Sequence, residues 1–118
     1  MSILVSIASS HDNPDRCTVG FVVAAASAAS GQQTTVFLSA DGAWVGKQGE
    51  AEKIHEEGFA PLADLVAGFV EAGGEILVCT PCAKKRGITD ADLVPGATIA
   101  GGAAVVALLA AGATSICY

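Results

Sequence analysis

Apolar positions along this chain fall into short blocks whose spacing alternates between that of a strand and that of a helix. Ile3 to Ala8 is a compact apolar run with β-branched residues, the pattern of a buried strand. The polar "SSHD" follows, and then Asn13-Pro14, a helix cap beside a proline suited to the first helical position. Val19, Val22, Val23 and Ala26 keep helical spacing as far as Gly31, a residue type that ends helices. Thr34 to Leu38 forms the second strand. Leu62, Leu65, Val66 and Phe69 recur at one-face spacing in a second helix that begins at Pro61 and stops at Gly73-Gly74. Ile76 to Val78 is the third strand and delivers Cys79 at its carboxyl end. "TPCAKKRG" turns into a short helix closed by Gly87, and Thr89 to Asp92 resembles a capping box with Asp in place of Glu. A fourth strand at 97–100, a helix at 102–111 and a fifth strand at 114–118 complete the series.

Strands that alternate with helices predict an α/β fold: a parallel sheet with helices on both faces, in one domain spanning 1–118. Residues 41–60 break the pattern. They hold "DGAWVGKQG" and a charged stretch with His55, and the length suits either a functional loop or a solvated connection.

Composition adds a surface problem. Hydrophobic residues make up 52% of the 118, charged residues 15% and aromatics only 5%, with a mean hydropathy of +0.54. A domain this small has too much surface to hide that much Ala, Val, Leu and Ile, so part of it is expected to meet another copy of the chain. The net charge of −6 argues against nucleic acid as a partner. Residues 97–113 are apolar but too short, and too rich in Ala and Gly, to span a membrane. Four cysteines without a secretory-signal layout place the protein, by expectation, in a reducing cytoplasm.

Ligands of parallel sheets bind at the carboxyl ends of the strands, and the reactive residues map there. His11 and Asp12 follow the first strand, Asp41 and Trp44 the second, and Cys79 and Cys82 the third. A thiol at a strand end just before a helix faces backbone N–H groups that favour the thiolate, and Lys84, Lys85 and Arg86 lie close in sequence. Cys79 is therefore the candidate nucleophile. Cys82, separated from it by Thr80 and Pro81, is a candidate resolving thiol, and both thiols also admit a reading as small core residues. "CTPC" follows the third strand, whereas thioredoxin-like chains place such a motif after the first. His11 suits a base or an orienting group, or simply a bond within its own loop. Cys117 is a further candidate for the same edge, whereas Cys17 lies at core spacing on the first helix. No second Cys-x-x-Cys and no His-x-x-x-His completes a zinc site, and no glycine-rich nucleotide loop is present, so neither metal nor cofactor is expected.

These residues sit in segments that resemble the DsrE/DsrF-like family, including its small members named as predicted peroxiredoxins. "SSHDNPDR", "TTVFLSADGAW", "GFAPLADLVAGFVEAGGEILVCTPCAKKRGI" and "DLVPGATIAGGAAVVALL" carry the resemblance over nearly the whole chain. It implies a three-layer α/β/α sandwich around a five-stranded parallel sheet, and homo-oligomers of three or six subunits. Sulfur-relay members hold a persulfide on a cysteine at the end of the third strand, upstream of an Arg-Gly pair. Cys79, ahead of Arg86-Gly87, occupies that place, and the resemblance implies a sulfurtransferase-like carrier that exchanges sulfur with protein partners. Cys82 belongs to the peroxiredoxin-named branch, so thiol–disulfide or peroxide chemistry on Cys79 and Cys82 is the alternative. A non-catalytic oligomeric binding module is another. Pro81, Arg86 and Cys117 are grouped with His11, Asp12, Asp41 and Trp44 as the expected pocket.

Overall fold

A computed structural model describes residues 2–118. Five strands form one parallel sheet: β1 (Ser2–Ile7), β2 (Gln33–Leu38), β3 (Glu75–Cys79), β4 (Ala97–Ala100) and β5 (Thr114–Cys117), in the order β4-β3-β2-β1-β5. The helices are α1 (Pro14–Ala29), α2 (Leu62–Glu71), α3 (Thr80–Lys85) and α4 (Gly102–Ala110). From β1 to β4 the chain advances one strand at a time in one direction. Right-handed crossovers therefore put α1, α2 and α3 on one face. After β4 the chain returns across the whole sheet to the far side of β1, which puts α4 on the other face. This is the expected three-layer α/β/α arrangement.

The two faces are unequally covered. Val5, Val36 and Ile76 share one register row, and Ile7, Leu38 and Val78 the next; all are fully buried under α1 and α2. Phe21 of α1 meets Phe69 of α2 edge to face, with ring centroids 6.3 Å apart. The opposite face carries Leu4, Phe37 and Leu77, of which only Leu4 is buried. No residue of α4 is buried, and Val106 remains 64% and Leu109 42% exposed.

Local chemistry accounts for the element ends. The Asn13 side chain accepts the Arg16 N–H at 3.2 Å with Pro14 opening α1, and the Asp92 carboxylate accepts both the N–H and the hydroxyl of Thr89. The stripe of α1 differs from its apolar spacing. Cys17, Phe21, Ala24 and Ala28 are buried, while Val19, Val22 and Val23 are partly exposed and Ala26 is exposed. Phe21, on the buried side, makes the edge-to-face contact with Phe69.

The first two thirds of the 41–60 segment are packed structure. Short 3₁₀ turns occupy Ala40–Gly46 and Ala51–Lys53, burying Gly42, Ala43, Val45, Gly46 and Ala51, with Ile54 buried beside them. Lys47 bridges Leu93, and the Gly46 carbonyl accepts the Val94 N–H at 2.9 Å. The segment is therefore packed as far as Ile54, whereas 55–60 holds no buried residue and remains a largely solvated connection.

Candidate functional site

The carboxyl ends of β1, β2 and β3 lie side by side, and each delivers part of one cluster. After β1, Ser10 is buried, and its hydroxyl lies 2.6 Å from the Asp41 carbonyl and 2.8 Å from Asp41 Oδ2. Asp41 Oδ2 also accepts the Asp12 N–H at 3.1 Å, and Asp12 Oδ1 accepts the Ser10 N–H at 3.0 Å. The β1–α1 loop and the turn after β2 are thereby tied together through one carboxylate.

The thiols enter from β3. Cys79 is its last residue and caps α3; Cys82 lies in the first turn of that helix, and both are half-buried and not joined by a disulfide. Cys82 Sγ accepts the Ala40 backbone N–H at 3.2 Å, which ties the turn after β2 to α3. Arg86 Nη1 donates to the Cys82 carbonyl at 3.2 Å, one helical turn on. The Arg86 charge acts on both Asp41 and Cys79, favouring the anionic form of each.

Electrostatics departs here from the expectation for a thiol at a helix start. The Cys79 thiol is pushed above the ordinary range, first by burial and then by the neighbouring Cys82 thiol. The Cys82 N–H and Arg86 act in the opposite direction without prevailing. With six residues, α3 offers little dipole to set against burial. Asp41 behaves differently. Burial alone would raise its carboxyl, but the Ser10 hydroxyl, the Asp12 N–H and Arg86 together hold it below the usual carboxylate range. Cys17 is fully buried and pushed up to about 12, chiefly by burial and further by Asp12 and Asp41, which fits a core thiol.

The remaining expected residues divide. Pro81 is exposed in the first turn of α3, next to Cys82. His11 Nε2 pairs with Glu50 Oε1 at 2.9 Å, and Glu50 in turn takes Lys53 Nζ at 2.8 Å, so His11 tethers the 41–60 segment. Trp44 packs against the core beneath Lys47, whose Nζ lies 5.7 Å from its ring centroid. Cys117 lies in register with Ser6 on β5, three strand steps from β3, which is roughly 14 Å across a sheet. It lines a separate open cleft with Asn13, Arg16 and Tyr118. Strand order thus separates Cys117 from the thiol pair.

Ser10, Ala40 and Glu50 were not legible as members of this edge. Ser10 belongs to "SSHD", but nothing local distinguishes it from Ser9, whose hydroxyl is buried with no hydrogen-bond partner among the described residues. An apolar groove of about 300 Å³ between α2 and Val94-Pro95 shares no residue with the thiol cluster. Among the described residues no group of three or more His, Cys, Asp or Glu side chains is arranged to hold a metal ion. None of the described helices is long and apolar enough to cross a membrane.

Comparison with known proteins places this geometry in context. The DsrE/DsrF-like family matches residues 1–118. An uncharacterised protein of Methanocaldococcus jannaschii, MJ0760, is 33% identical over 89 residues, covering 75% of this chain but only 32% of its own length. An uncharacterised protein of Methanopyrus kandleri, MK0008, is 26% identical over 98 residues, covering 83% of this chain and 78% of its own. The ychN protein from E. coli shares the fold with a TM-score of 0.70 at 14% identity, covering 99% of this chain and 97% of that one. MTH1491, a protein of unknown function from Methanobacterium thermoautotrophicum, gives 0.73 at 13% identity, covering 99% and 98%.

Proposed function

Since the chain belongs to the DsrE/DsrF-like family, we propose that it handles sulfane sulfur, with Cys79 as the acceptor and carrier. The observation that carries this reading is the half-buried Cys79 thiol at the carboxyl end of β3, beside Cys82 and the Arg86 charge. A donor persulfide presents its outer sulfur to the Cys79 thiolate. The new bond forms at Cys79 Sγ, the donor leaves as a thiolate, and Cys79 holds the persulfide for transfer to a partner protein. The raised thiol makes deprotonation part of the step, and the Cys82 N–H and Arg86 stabilise the anion as it forms.

Exposure on α4 supports a homo-oligomer, in keeping with the trimers or hexamers expected from the family resemblance. Val106 and Leu109 would leave water in such a contact. A cytoplasmic setting suits the undisulfided thiols.

Incubation with a persulfide donor followed by intact-mass measurement tests the carrier role. One added sulfur atom on the wild type and none on Cys79→Ser is the expected result. If Cys79 gains no sulfur where a control acceptor does, the reading fails. A second reading, thiol–disulfide or peroxide chemistry on the Cys79–Cys82 pair, is favoured by the closeness of the two thiols. Peptide mapping after mild oxidation tests it, and two free thiols would remove it.

A further inference from the structure

The carrier reading leaves Cys82 without a task, although the fold gives that sulfur a specific environment. The Ala40 N–H is aimed at it from 3.2 Å, and Ala40 reaches this geometry in a left-handed conformation, φ 49°, that a non-glycine residue rarely adopts. Arg86 fixes the Cys82 carbonyl one turn later. Cys82 follows Cys79 by three residues in the first turn of α3, so both side chains lie over one side of that turn. A backbone donor at Cys82 Sγ is available to a thiolate attacking a neighbouring sulfur.

Resting on the carrier reading, we propose that Cys82 discharges the Cys79 persulfide, so that the protein reduces sulfane sulfur to hydrogen sulfide. The Cys82 thiolate attacks Cys79 Sγ, the inner sulfur of the persulfide. The Cys79–Cys82 bond forms, the bond between Cys79 Sγ and the outer sulfur breaks, and the outer sulfur leaves with the electron pair as hydrosulfide. The Arg86 charge, which favours the anionic form of Cys79, also favours departure of the anion. A dithiol reductant then reduces the Cys79–Cys82 disulfide by exchange and is itself oxidised to a disulfide. Over one cycle a persulfide and a dithiol become a thiol, a disulfide and hydrogen sulfide, with atoms and electrons balanced.

Both thiols are half-buried and so keep part of their surface in contact with solvent. The two sulfurs have different donors: the Cys82 N–H and the Arg86 charge act on Cys79, which takes the sulfur, and the Ala40 N–H acts on Cys82, which attacks. The substrate class is a low-molecular-weight or protein persulfide, and the recycling partner is a dithiol.

The test uses the full reduced chain, held without air so that oxygen cannot form the disulfide, and glutathione persulfide as the probe. Released sulfide is measured, and the product is mapped by peptide mass. Wild-type protein should release about one sulfide per chain without added reductant and finish as the Cys79–Cys82 disulfide. Cys82→Ser should keep the added sulfur on Cys79 and release sulfide about tenfold more slowly or less. Wild type that gains sulfur yet stays a stable persulfide overturns this proposal and leaves the carrier reading standing. So does Cys82→Ser that releases sulfide at the wild-type rate. If neither protein gains sulfur, the carrier reading falls and this proposal with it. Disulfide mapping of the wild type decides the matter should the serine variant fail to fold.

Discussion

The backbone N–H of Ala40 donates to Cys82 Sγ at 3.2 Å, and Ala40 holds a left-handed backbone with φ 49° to do so. A side chain costs about 1–2 kcal/mol in that conformation, and a β-branched one costs more because its branch meets the following carbonyl. Ala40→Gly keeps the donor and removes the strain, offset in part by the greater freedom of glycine in the unfolded chain. We expect urea denaturation to show Ala40→Gly within about 1 kcal/mol of wild type or above it, and Ala40→Val lower by about 1–2 kcal/mol. Equal stability of the two variants would remove the strain argument.

Thiol reactivity against pH should separate the cysteines. Burial raises Cys79, so its alkylation under native conditions should reach half-maximum at a pH above that of an ordinary thiol. Cys17, pushed up to about 12 and fully buried, should react only once the protein is unfolded. A raised thiol also has a stability consequence. The folded state keeps the proton to higher pH, so this contribution is complete below the unfolded thiol value and is lost as pH rises through the folded one. A Cys79 midpoint below the ordinary thiol range would contradict the burial argument.

On the acid side the relevant group is Asp41. Its folded value lies below the reference of 3.8, because the Ser10 hydroxyl, the Asp12 N–H and Arg86 outweigh burial. A depressed carboxylate stabilises the fold above its unfolded value, and the contribution is lost as pH falls below 3.8 and through the folded value. Asp41→Asn should therefore flatten the acid limb of a stability–pH curve and lower stability at neutral pH. The comparison is made by denaturant midpoints at several pH values, and an unchanged acid limb would show that Asp41 is not the group responsible.

Gly42 tests the packing of the segment that precedes the site. A Cβ there would press on the Ile7 carbonyl oxygen and crowd the Ser9 N–H, both backbone atoms that no side-chain rotation can move aside. Gly42→Ala should destabilise by about 1–3 kcal/mol in denaturant titration. Because Ser10 and Asp41 flank the same contact, its thiol chemistry should also change.

The ends of elements were readable because their causes are local. Asn13-Pro14 starts α1, Gly73 and Gly87 end helices with positive φ, and the Thr89–Asp92 cap lies within four residues. The arrival of Cys79 at the end of β3 was readable for the same reason. What was not readable depends on partners distant in sequence. The buried side of α1 meets Phe69 of α2, the Ala40–Cys82 bond joins residues 42 apart, and Cys117 is removed from the thiols by a strand order that returns across the sheet. The 3₁₀ turns of the 41–60 segment have too few residues to show a period. The raised Cys79 thiol also depends on burial, which sequence position alone does not reveal.

Unequal covering of the sheet supplies the last prediction. Val106 and Leu109 stand 64% and 42% exposed on α4, a helix with no charged residue from Gly102 to Ala110. A charge at either position meets water in the isolated chain but would be desolvated in a contact between copies. Leu109→Glu should therefore leave the thermal stability of the isolated subunit nearly unchanged while weakening self-association by about tenfold or more. Sedimentation velocity over a range of concentrations reads the effect directly. Association of the variant at wild-type strength would move the contact away from the outer side of α4. Loss of folding in the variant would instead show that Leu109 is held by packing within one chain, against its exposure.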